Sequence, residues 1–422
     1  MLENLLSQNE GKTLEFKENT ASLEPIIKTI IAFTNTAGGT LVIGIRDKTK
    51  EIIGVGDVLK EEERIANAVS DSISPQIIPN FQFFTWRKVD LLIVSVSHNI
   101  GPHFLKSKGI EQGVYIRLGS TNRIADKTTV SEIQRLATHH SFDEMPNLNA
   151  KNEDIDFNLA EELFNKHSRK FDKNVAKSIQ LLVKFQFDYY PSNGAILLFG
   201  KNRRLLFSNA IVQCGLFSGQ SKSNILDQQE IDAPLPIALN QILTFIQRNT
   251  QTRSEIGSKE RVDIPQYPPV VIREAVINAL VHADYAIKGA NVQIAIYSDR
   301  IEITNPGALP FGLSLEKALS GMSQLRNKVI GHVFRELGLI ERWGSGFRRM
   351  IETCQSVGIR TPIFEECDRF FKVTIFHEPY SMILEEEWQK KMVEYLHQNH
   401  KITIKEAGIL WEVANRTAAT RL

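Results

Sequence analysis

The stretch Arg273-Glu-Ala-Val-Ile-Asn278-Ala-Leu-Val-His282-Ala-Asp284 carries the reading of the chain. Pro268-Pro269 stand before it and predict a helix running to about Ala283, because the fixed φ of proline suits a first helical turn. In that helix Glu274, Asn278 and His282 fall at i, i+4 and i+8, each rotated only about 40° from the last. All three share one polar stripe. A carboxylate and a carboxamide one turn apart suit a site in which the first orients a water and the second ligates a hard cation such as Mg²⁺. Taken alone, such a stripe is more simply a solvated helix face. Its surroundings change that reading. Val292–Tyr297 and Ile301–Thr304 alternate as a strand pair joined by Ser298-Asp-Arg300, Asn305-Pro-Gly307 closes the pair, and Trp343-Gly-Ser-Gly346 lies between helices predicted at about 326–337 and 346–357. Glycines at a helix start let backbone N–H groups approach a phosphate, and the helix dipole adds attraction.

Outward from this stretch the chain reads as alternating helices and strands. In the first third, Leu23–Asn35 is predicted helical, breaking at Ala37-Gly38-Gly39 into the strand Thr40–Ile45. A short strand is expected at Glu51–Ile53 and a helix at Arg64–Ser72. Leu91–Val96 reads as a strand buried on both faces, and Val114–Leu118 as another that ends in the turn Gly119-Ser-Thr-Asn122. Pro146–Asp156 is polar and aperiodic, the best linker. Beyond it come helices near 158–167 and 174–187, a strand at Ala195–Phe199 and a helix at Pro234–Asn249. From Glu385 the tail reads as almost wholly helical.

With 422 residues, 42% hydrophobic and 23% charged, the chain is long enough for about three globular units. Fifty basic and forty-nine acidic side chains leave a net charge of +1, so any nucleic-acid contact must come from a local patch. Cys214, Cys354 and Cys367 form no CxxC and no zinc spacing. No apolar run reaches the ~18 residues of a membrane helix. The expectation is a reduced, soluble, cytoplasmic protein with no membrane association.

Residues from about 192 to 377 resemble the C-terminal region of a prokaryotic family labelled RecG-helicase-related or transcriptional-regulator-like. Its ATPase-like domain belongs to the GHKL superfamily of gyrase, heat-shock chaperone, histidine kinase and MutL. The matching text is Asn193-Gly-Ala-Ile-Leu-Leu-Phe-Gly-Lys-Asn202, Arg273 to His282, Asp299-Arg-Ile-Glu-Ile-Thr-Asn-Pro-Gly307, Arg326-Asn-Lys and Glu341-Arg-Trp-Gly-Ser-Gly346. The resemblance implies a Bergerat-type ATP pocket with Mg²⁺. Glu274 then matches the water-activating carboxylate and Asn278 the magnesium ligand, with His282 beside them on the stripe. Gly307, Gly344 and Gly346 match lid and phosphate positions. Where the superfamily holds the adenine amino group with an aspartate, this chain has Asn305, an acceptor without the charge assistance of a carboxylate. Leu309 replaces the second glycine of the same box. The chain has no GxxxxGK[ST], so the P-loop of a translocating helicase is absent.

Residues from about 3 to 136 are similar to the Schlafen-type AlbA-like domain through Leu14-Glu15-Phe16-Lys17, Ala32 to Asp47 and Val114-Tyr-Ile-Arg117-Leu-Gly119-Ser. The family implies nucleic-acid binding, DNA or RNA. In some members it implies a metal-dependent endonuclease, for which Glu10, Glu15 and Asp47 fall where the acids would be, with Arg46 in place of one further acid. Lys17, Arg46, Arg117 and Arg123 are the candidate phosphate contacts, with Ser120, Thr121 and Asn122 as polar partners. Phe81, Phe83, Phe84 and Trp86 form an alternating aromatic run, read as core before a stacking platform. The tail resembles a winged helix-turn-helix. Lys405–Leu410 would be the positioning helix and Asn415–Leu422 the start of the reading helix, Asn415 and Arg416 reaching for DNA edges. The sequence stops where the β-wing would begin, so the tail is expected to be truncated or a dimerisation stub.

The fold expected is therefore α/β, a multi-domain α+β chain. It comprises a Schlafen-type AlbA-like domain (1–145), a connecting domain (146–257), a Bergerat-type sandwich (258–378) and a partial winged helix (379–422). The leading function is an ATP-responsive nucleic-acid-binding transcriptional regulator, homodimeric by analogy. The rivals are a metal-dependent RNA or DNA nuclease, and a scaffold with a degenerate nucleotide pocket.

Overall fold

A computed structural model describes residues 2–256 apart from Lys48, 261–340, 346–377 and 402–421, with short pieces at 388, 391–392 and 395–396. The first unit contains α1 (Leu2–Ser7), β1 (Leu14–Lys17), α2 (Leu23–Thr36), β2 (Gly39–Ile43), α3 (Val58–Ser72), β3 (Ile73–Ser74), β4 (Asn80–Trp86) and β5 (Val89–Val96). It continues with β6 (Phe104–Leu105), α4 (Gly109–Gln112), β7 (Tyr115–Leu118), β8 (Thr121–Ile124) and α5 (Lys127–Ala137). Its sheet runs β1-β2-β5-β4, with β1 parallel to β2 and the rest antiparallel. One face packs Leu41, Ile43, Leu92 and Val94 against α2 and α3. The other packs Phe16, Val42, Leu91 and Ile93 against α1 residues and against Phe84 and Trp86.

Ten of the fourteen residues of α2 are buried, since the helix lies between the sheet and β7. Asn35 stitches those layers: its Nδ2 donates to the carbonyls of His103 at 2.8 Å and Tyr115 at 2.9 Å, and its Oδ1 accepts from the His103 N–H at 2.9 Å. The turn into β2 requires Gly38 (φ 76°), where a Cβ would stand 2.8 Å from the Val96 carbonyl.

The larger body begins with α6 (Phe157–Lys166), α7 (Lys173–Ser178), β9 (Leu182–Phe185), β10 (Asp188–Pro191), α8 (Asn193–Phe199) and α9 (Arg203–Leu206). It continues through β11 (Val212–Phe217), β12 (Ile225–Ile231), α10 (Leu235–Arg248), β13 (Thr252–Ile256), β14 (Arg261–Pro265), α11 (Pro269–His282), β15 (Val292–Ile296) and β16 (Arg300–Pro306). It ends with α12 (Leu315–Leu319), α13 (Lys328–Glu336), α14 (Gly346–Ser356), β17 (Ile363–Cys367) and β18 (Phe370–Phe376). Six strands form one sheet in the order β12-β11-β15-β16-β18-β17, where β11 and β15 are parallel and every other pair antiparallel. One apolar core runs from Ala150 to Ile375. The boundary expected at 257/258 lies outside the described residues, and the core and the sheet both continue across it.

Several local expectations change. Ala195–Phe199 is part of the helix α8 rather than a strand: Ser192 caps it by accepting from the Ala195 N–H at 3.1 Å, and all seven of its residues are buried. A helix buried on every side has no amphipathic period to betray it. The helix expected over 174–187 stops at Ser178, and a hairpin follows, because Gln180 and Gln186 adopt left-handed φ values of 59° and 54°. Glu51–Ile53 supplies only an isolated bridge, Ile45 to Ile52. The segment expected as a linker is docked instead, with bridges Pro146 to Ser192 and Ile155 to Gly200. In the tail, α15 (Ile404–Leu410) carries a Thr403–Glu406 capping box, and α16 (Asn415–Arg421) packs Ala418 on Ala407 and Trp411. The rest of the expected helical tail lies largely outside the described residues. Among those described, no helix is long and apolar enough to cross a membrane.

The two bodies are joined by polar contacts and by Phe311, which packs with Val114, Ile116 and Ile133. Lys12 pairs with Glu366 at 2.7 Å, Arg369 with Asp126 at 2.8 Å, and Arg326 with Glu132. Asp143 accepts from the Lys328 N–H at 3.1 Å and the Ile330 N–H at 2.9 Å at the start of α13. Burial pushes the Asp143 carboxyl up from 3.8 to about 6 despite those bonds. The native state therefore binds this proton more tightly than the unfolded chain, and the contribution is lost as pH rises from about 4 through 6. Compared with Asp143→Asn, which does not titrate, the wild-type chain should lose about 3 kcal/mol across that window. Urea denaturation at intervals of pH measures it; a difference independent of pH would refute the assignment.

Candidate nucleotide cleft and acidic cluster

Helix α11 supports the first site. Its apolar residues, among them Val271, Ala275, Val276 and Leu280, are buried in the core, while Glu274, Asn278 and His282 line a cleft. Opposite them stand Asn305 and Gly307 at the end of β16, the segment Ala308 to Leu325, and Gly346, Phe347 and Arg349 at the start of α14. The cleft measures about 1170 Å³ with its open mouth.

The start of α14 presses against the stripe: a Cβ on Gly346 would lie 2.2 Å from Glu274 Oε1 and 3.2 Å from Asn278 Nδ2. Glu274 Oε2 is held by Arg349. His282 is half-buried in the wall, and desolvation with the Arg326 charge nearby lowers it to about 4, so it is neutral at pH 7. Asn305 is buried, and its Nδ2 donates to the Pro306 carbonyl at 3.2 Å and, weakly, to that of Gly307 at 3.4 Å. The amide is thereby oriented, leaving Oδ1 as its acceptor. Gly307 (φ 92°) is required by the close approach of Asp284, whose Cβ would be 2.9 Å from an added Cβ. Gly344 lies outside the described residues.

These residues fit a nucleotide in part. An oriented buried amide suits an adenine edge, and the Gly346 helix start suits phosphate. A magnesium ion would find the Asn278 carboxamide but a Glu274 carboxylate already taken by arginine, so phosphate oxygens would have to supply most of its ligands.

The second site is the acid cluster of the first unit, in which Glu10 meets Asp47 and feels the charge of Glu15. Glu10 is raised chiefly by desolvation, with the charges of Asp47 and Glu15 adding to it, against a hydrogen bond from the Phe16 N–H at 2.6 Å. Glu15 is buried, however, and already satisfied. One oxygen is held by Arg117 and the other by Lys17, with Thr29 Oγ1 at 3.3 Å. Among the described residues no group of three or more His, Cys, Asp and Glu side chains is arranged to hold a metal.

The structure corrects one phosphate candidate outright. The Arg117 side chain is fully buried, donating to Glu15, to Asn122 Oδ1 at 2.9 Å and to the Gly11 carbonyl at 3.0 Å. A side chain enclosed this way cannot meet a phosphate without leaving the core. Asn122, expected as a polar partner of the phosphate, instead accepts from Arg117 and donates to Thr29 Oγ1 at 2.8 Å. Arg46 is exposed but paired with Glu18 and Glu51, Lys17 is half-buried beside Glu15, and Arg123 is exposed. Phe84 and Trp86 pack on the core while Phe83 is exposed. At the far end of the chain Arg416 is exposed on α16, and the side chain of Asn415 lies outside the described residues. Sequence reasoning missed Arg349 and Glu132, and singled out Arg326 within a motif without giving it a role. Arg349 sits one turn beyond Gly346, and that spacing was its only signal.

Comparison with known proteins bears on both sites. Residues 10–126 match the family described as "Schlafen, AlbA_2", and residues 289–375 match that described as "Putative ATP-dependent DNA helicase recG C-terminal". The chain carries a Schlafen-type AlbA domain and an ATPase-like domain. The AlbA match contains all three acids, Arg117 and Arg123; the ATPase-like match contains Asn305 and Gly307 but begins after α11. The crystal structure of the DIP2311 protein from Corynebacterium diphtheriae is similar at 20% identity and a TM-score of 0.49, over 99% of this chain and 90% of that one. The N-terminal domain of a RecG-related protein from Nitrosomonas europaea is similar at 24% identity and a TM-score of 0.24, over 29% of this chain and 88% of that one. No curated protein matches. The AlbA and ATPase-like domains together point to a nucleic-acid-associated, ATP-related function.

Proposed function

We propose that this protein is an ATP-responsive nucleic-acid-binding regulator of transcription, working as a homodimer in the cytoplasm. The observation that supports this reading most is the two-sided placement of residues 307–325. One side of the segment lines the cleft with Gly307, Leu309, Pro310 and Leu325. The other side is fastened to the AlbA domain. Phe311 packs in a small core with Val114, Ile116 and Ile133, and a Cβ on Gly312 would stand 2.8 Å from His98. The Gly312 N–H donates to the Thr36 carbonyl at 2.5 Å. A ligand that prefers one position of this segment must shift whatever is fastened to its back, by as much as its affinities for the two positions differ.

In this reading Asn305 accepts from the adenine amino group, Asn278 holds the phosphate-bound Mg²⁺, and Gly346 admits the phosphates. Gly344 takes the same role, and His282 offers a neutral wall. Glu274 would orient water but is restrained by Arg349, so binding is strong relative to turnover. Nuclease chemistry at Glu10, Glu15 and Asp47 is disfavoured because Arg117 and Lys17 already neutralise Glu15.

Calorimetry with a non-hydrolysable ATP analogue tests the reading. Saturable binding should weaken about tenfold or more in Asn278→Ala and stay within about twofold in Glu274→Gln, because the carboxylate acts on water. Saturating analogue should change nucleic-acid affinity by about fivefold or more, a usual allosteric coupling. No heat at millimolar nucleotide would overturn the ATP site; binding without any change in nucleic-acid affinity would overturn the regulation.

A further inference from the structure

The hairpin β9–β10 is an isolated two-stranded sheet, rooted at buried Leu182 and Pro191. Its outer part reads Lys184-Phe-Gln-Phe-Asp-Tyr-Tyr190, with four aromatic residues in seven. Phe187 is 94% exposed at the tip, and Phe185 and Tyr189 are each 39% exposed. Nothing in the folding of a hairpin favours this. Two-residue turns select Asn and Gly, whereas Gln186 occupies a left-handed φ of 54° beside Phe187.

The surroundings are cationic. Lys177 Nζ lies 4.2 Å from the Tyr189 ring centroid, and Lys184 faces Tyr189 across the strands. From Lys166 to Tyr190 there are six basic residues against two acidic ones; Lys166, Arg169 and Lys170 are paired with Glu162, Glu336 and Asp172, and Lys177 and Lys184 flank the hairpin itself. Of the two acids, Asp172 is engaged in capping α7 through the Asn174 and Val175 N–H groups.

We propose that this hairpin is a second nucleic-acid contact, on which unpaired bases of a single strand stack against Phe187 and Tyr189 while neighbouring lysines meet the phosphates. Aromatic faces with interleaved cations suit single strands, because a paired base has no free face. The contact is separate from the AlbA domain, so it can hold whether or not nucleotide regulates that domain.

The test uses the full chain with labelled (dT)20 and (U)20 in fluorescence anisotropy. Phe187→Ala and Tyr189→Ala should each weaken binding by about tenfold, as removal of one stacking ring does elsewhere. Circular dichroism should be unchanged, since neither ring is buried. Lys177→Gln with Lys184→Gln should flatten the slope of log affinity against log salt by about 0.7 per contact. Photo-crosslinking of 5-iodouridine oligonucleotides should map to residues 185–189. Preference for one oligonucleotide over the other would name the strand that the site takes. Wild-type affinity in a folded Phe187→Ala, Tyr189→Ala double variant would overturn the proposal. Cross-links confined to residues 1–145 would do so as well, as would binding to anionic vesicles but to neither oligonucleotide.

Discussion

Arg117→Ala should destabilise the AlbA domain by about 3–5 kcal/mol, the usual cost of removing one partner from a buried ion pair. The guanidinium serves five groups at once: Glu15, Asn122, the Gly11 and Leu14 carbonyls and, at 5.1 Å, the face of Phe33. Its loss leaves Glu15 as a buried anion with Lys17 as its remaining cation and the Thr29 hydroxyl as its remaining neutral donor. That loss is a large share of a typical total stability of about 5–15 kcal/mol. Urea denaturation, with hydrogen exchange followed at β1 and β7, should show the loss concentrated there. Adding Glu15→Gln should restore more than half of it, because the uncompensated charge is gone. A neutral effect of Arg117→Ala would mean the side chain is at the surface and available to phosphate after all.

Arg326→Ala should loosen the contact between the two bodies. Arg326 reaches Glu132 on α5, stands 3.6 Å from Asp284, and donates to the Ala308 carbonyl beside the cleft. Desolvation raises the Glu132 carboxyl, and the Arg326 charge is the largest influence opposing it. Removing the arginine leaves two nearly buried carboxylates facing each other, at a cost again of about 3–5 kcal/mol. The expected result is rapid proteolysis between the bodies and loss of any nucleotide effect on nucleic-acid affinity, with nucleotide binding itself retained. Arg326→Lys should recover only part, since a compact ammonium cannot hold the acids with one N–H group and the Ala308 carbonyl with another as the planar fork does. An unchanged nucleotide effect in Arg326→Ala would show that coupling passes elsewhere.

The α11 stripe was legible because a helix of fixed pitch converts spacing directly into a shared face, and Pro268-Pro269 marked its start. The β15–β16 pair was legible from alternation. What escaped was everything that depends on long-range packing. The helix α8 looked like a strand because complete burial erases its period. Arg117 looked like a surface cation because a charge in sequence carries no sign of a carboxylate 102 positions away. The Arg326 to Glu132 contact joins residues 194 apart and has no local signature. Conversely, the grouping of Glu10, Glu15 and Asp47 was an expectation of the Schlafen-type resemblance, and the parallel pairing of β1 with β2 brings Glu15 to the strand that leads toward Asp47.

The parallel pairing of β11 with β15 limits how this architecture can be cut and rearranged. The ATPase-like match, residues 289–375, contains β15 to β18 but neither β11 nor α11. Excised at those limits, β15 would present a bare edge where Val212 to Leu216 had been hydrogen-bonded, and the sheet would lose the helix that covers it. Such a fragment should aggregate rather than fold. The piece able to move between proteins as a working part is therefore nearer 146–377, and the strands that complete its sheet must be inherited with it.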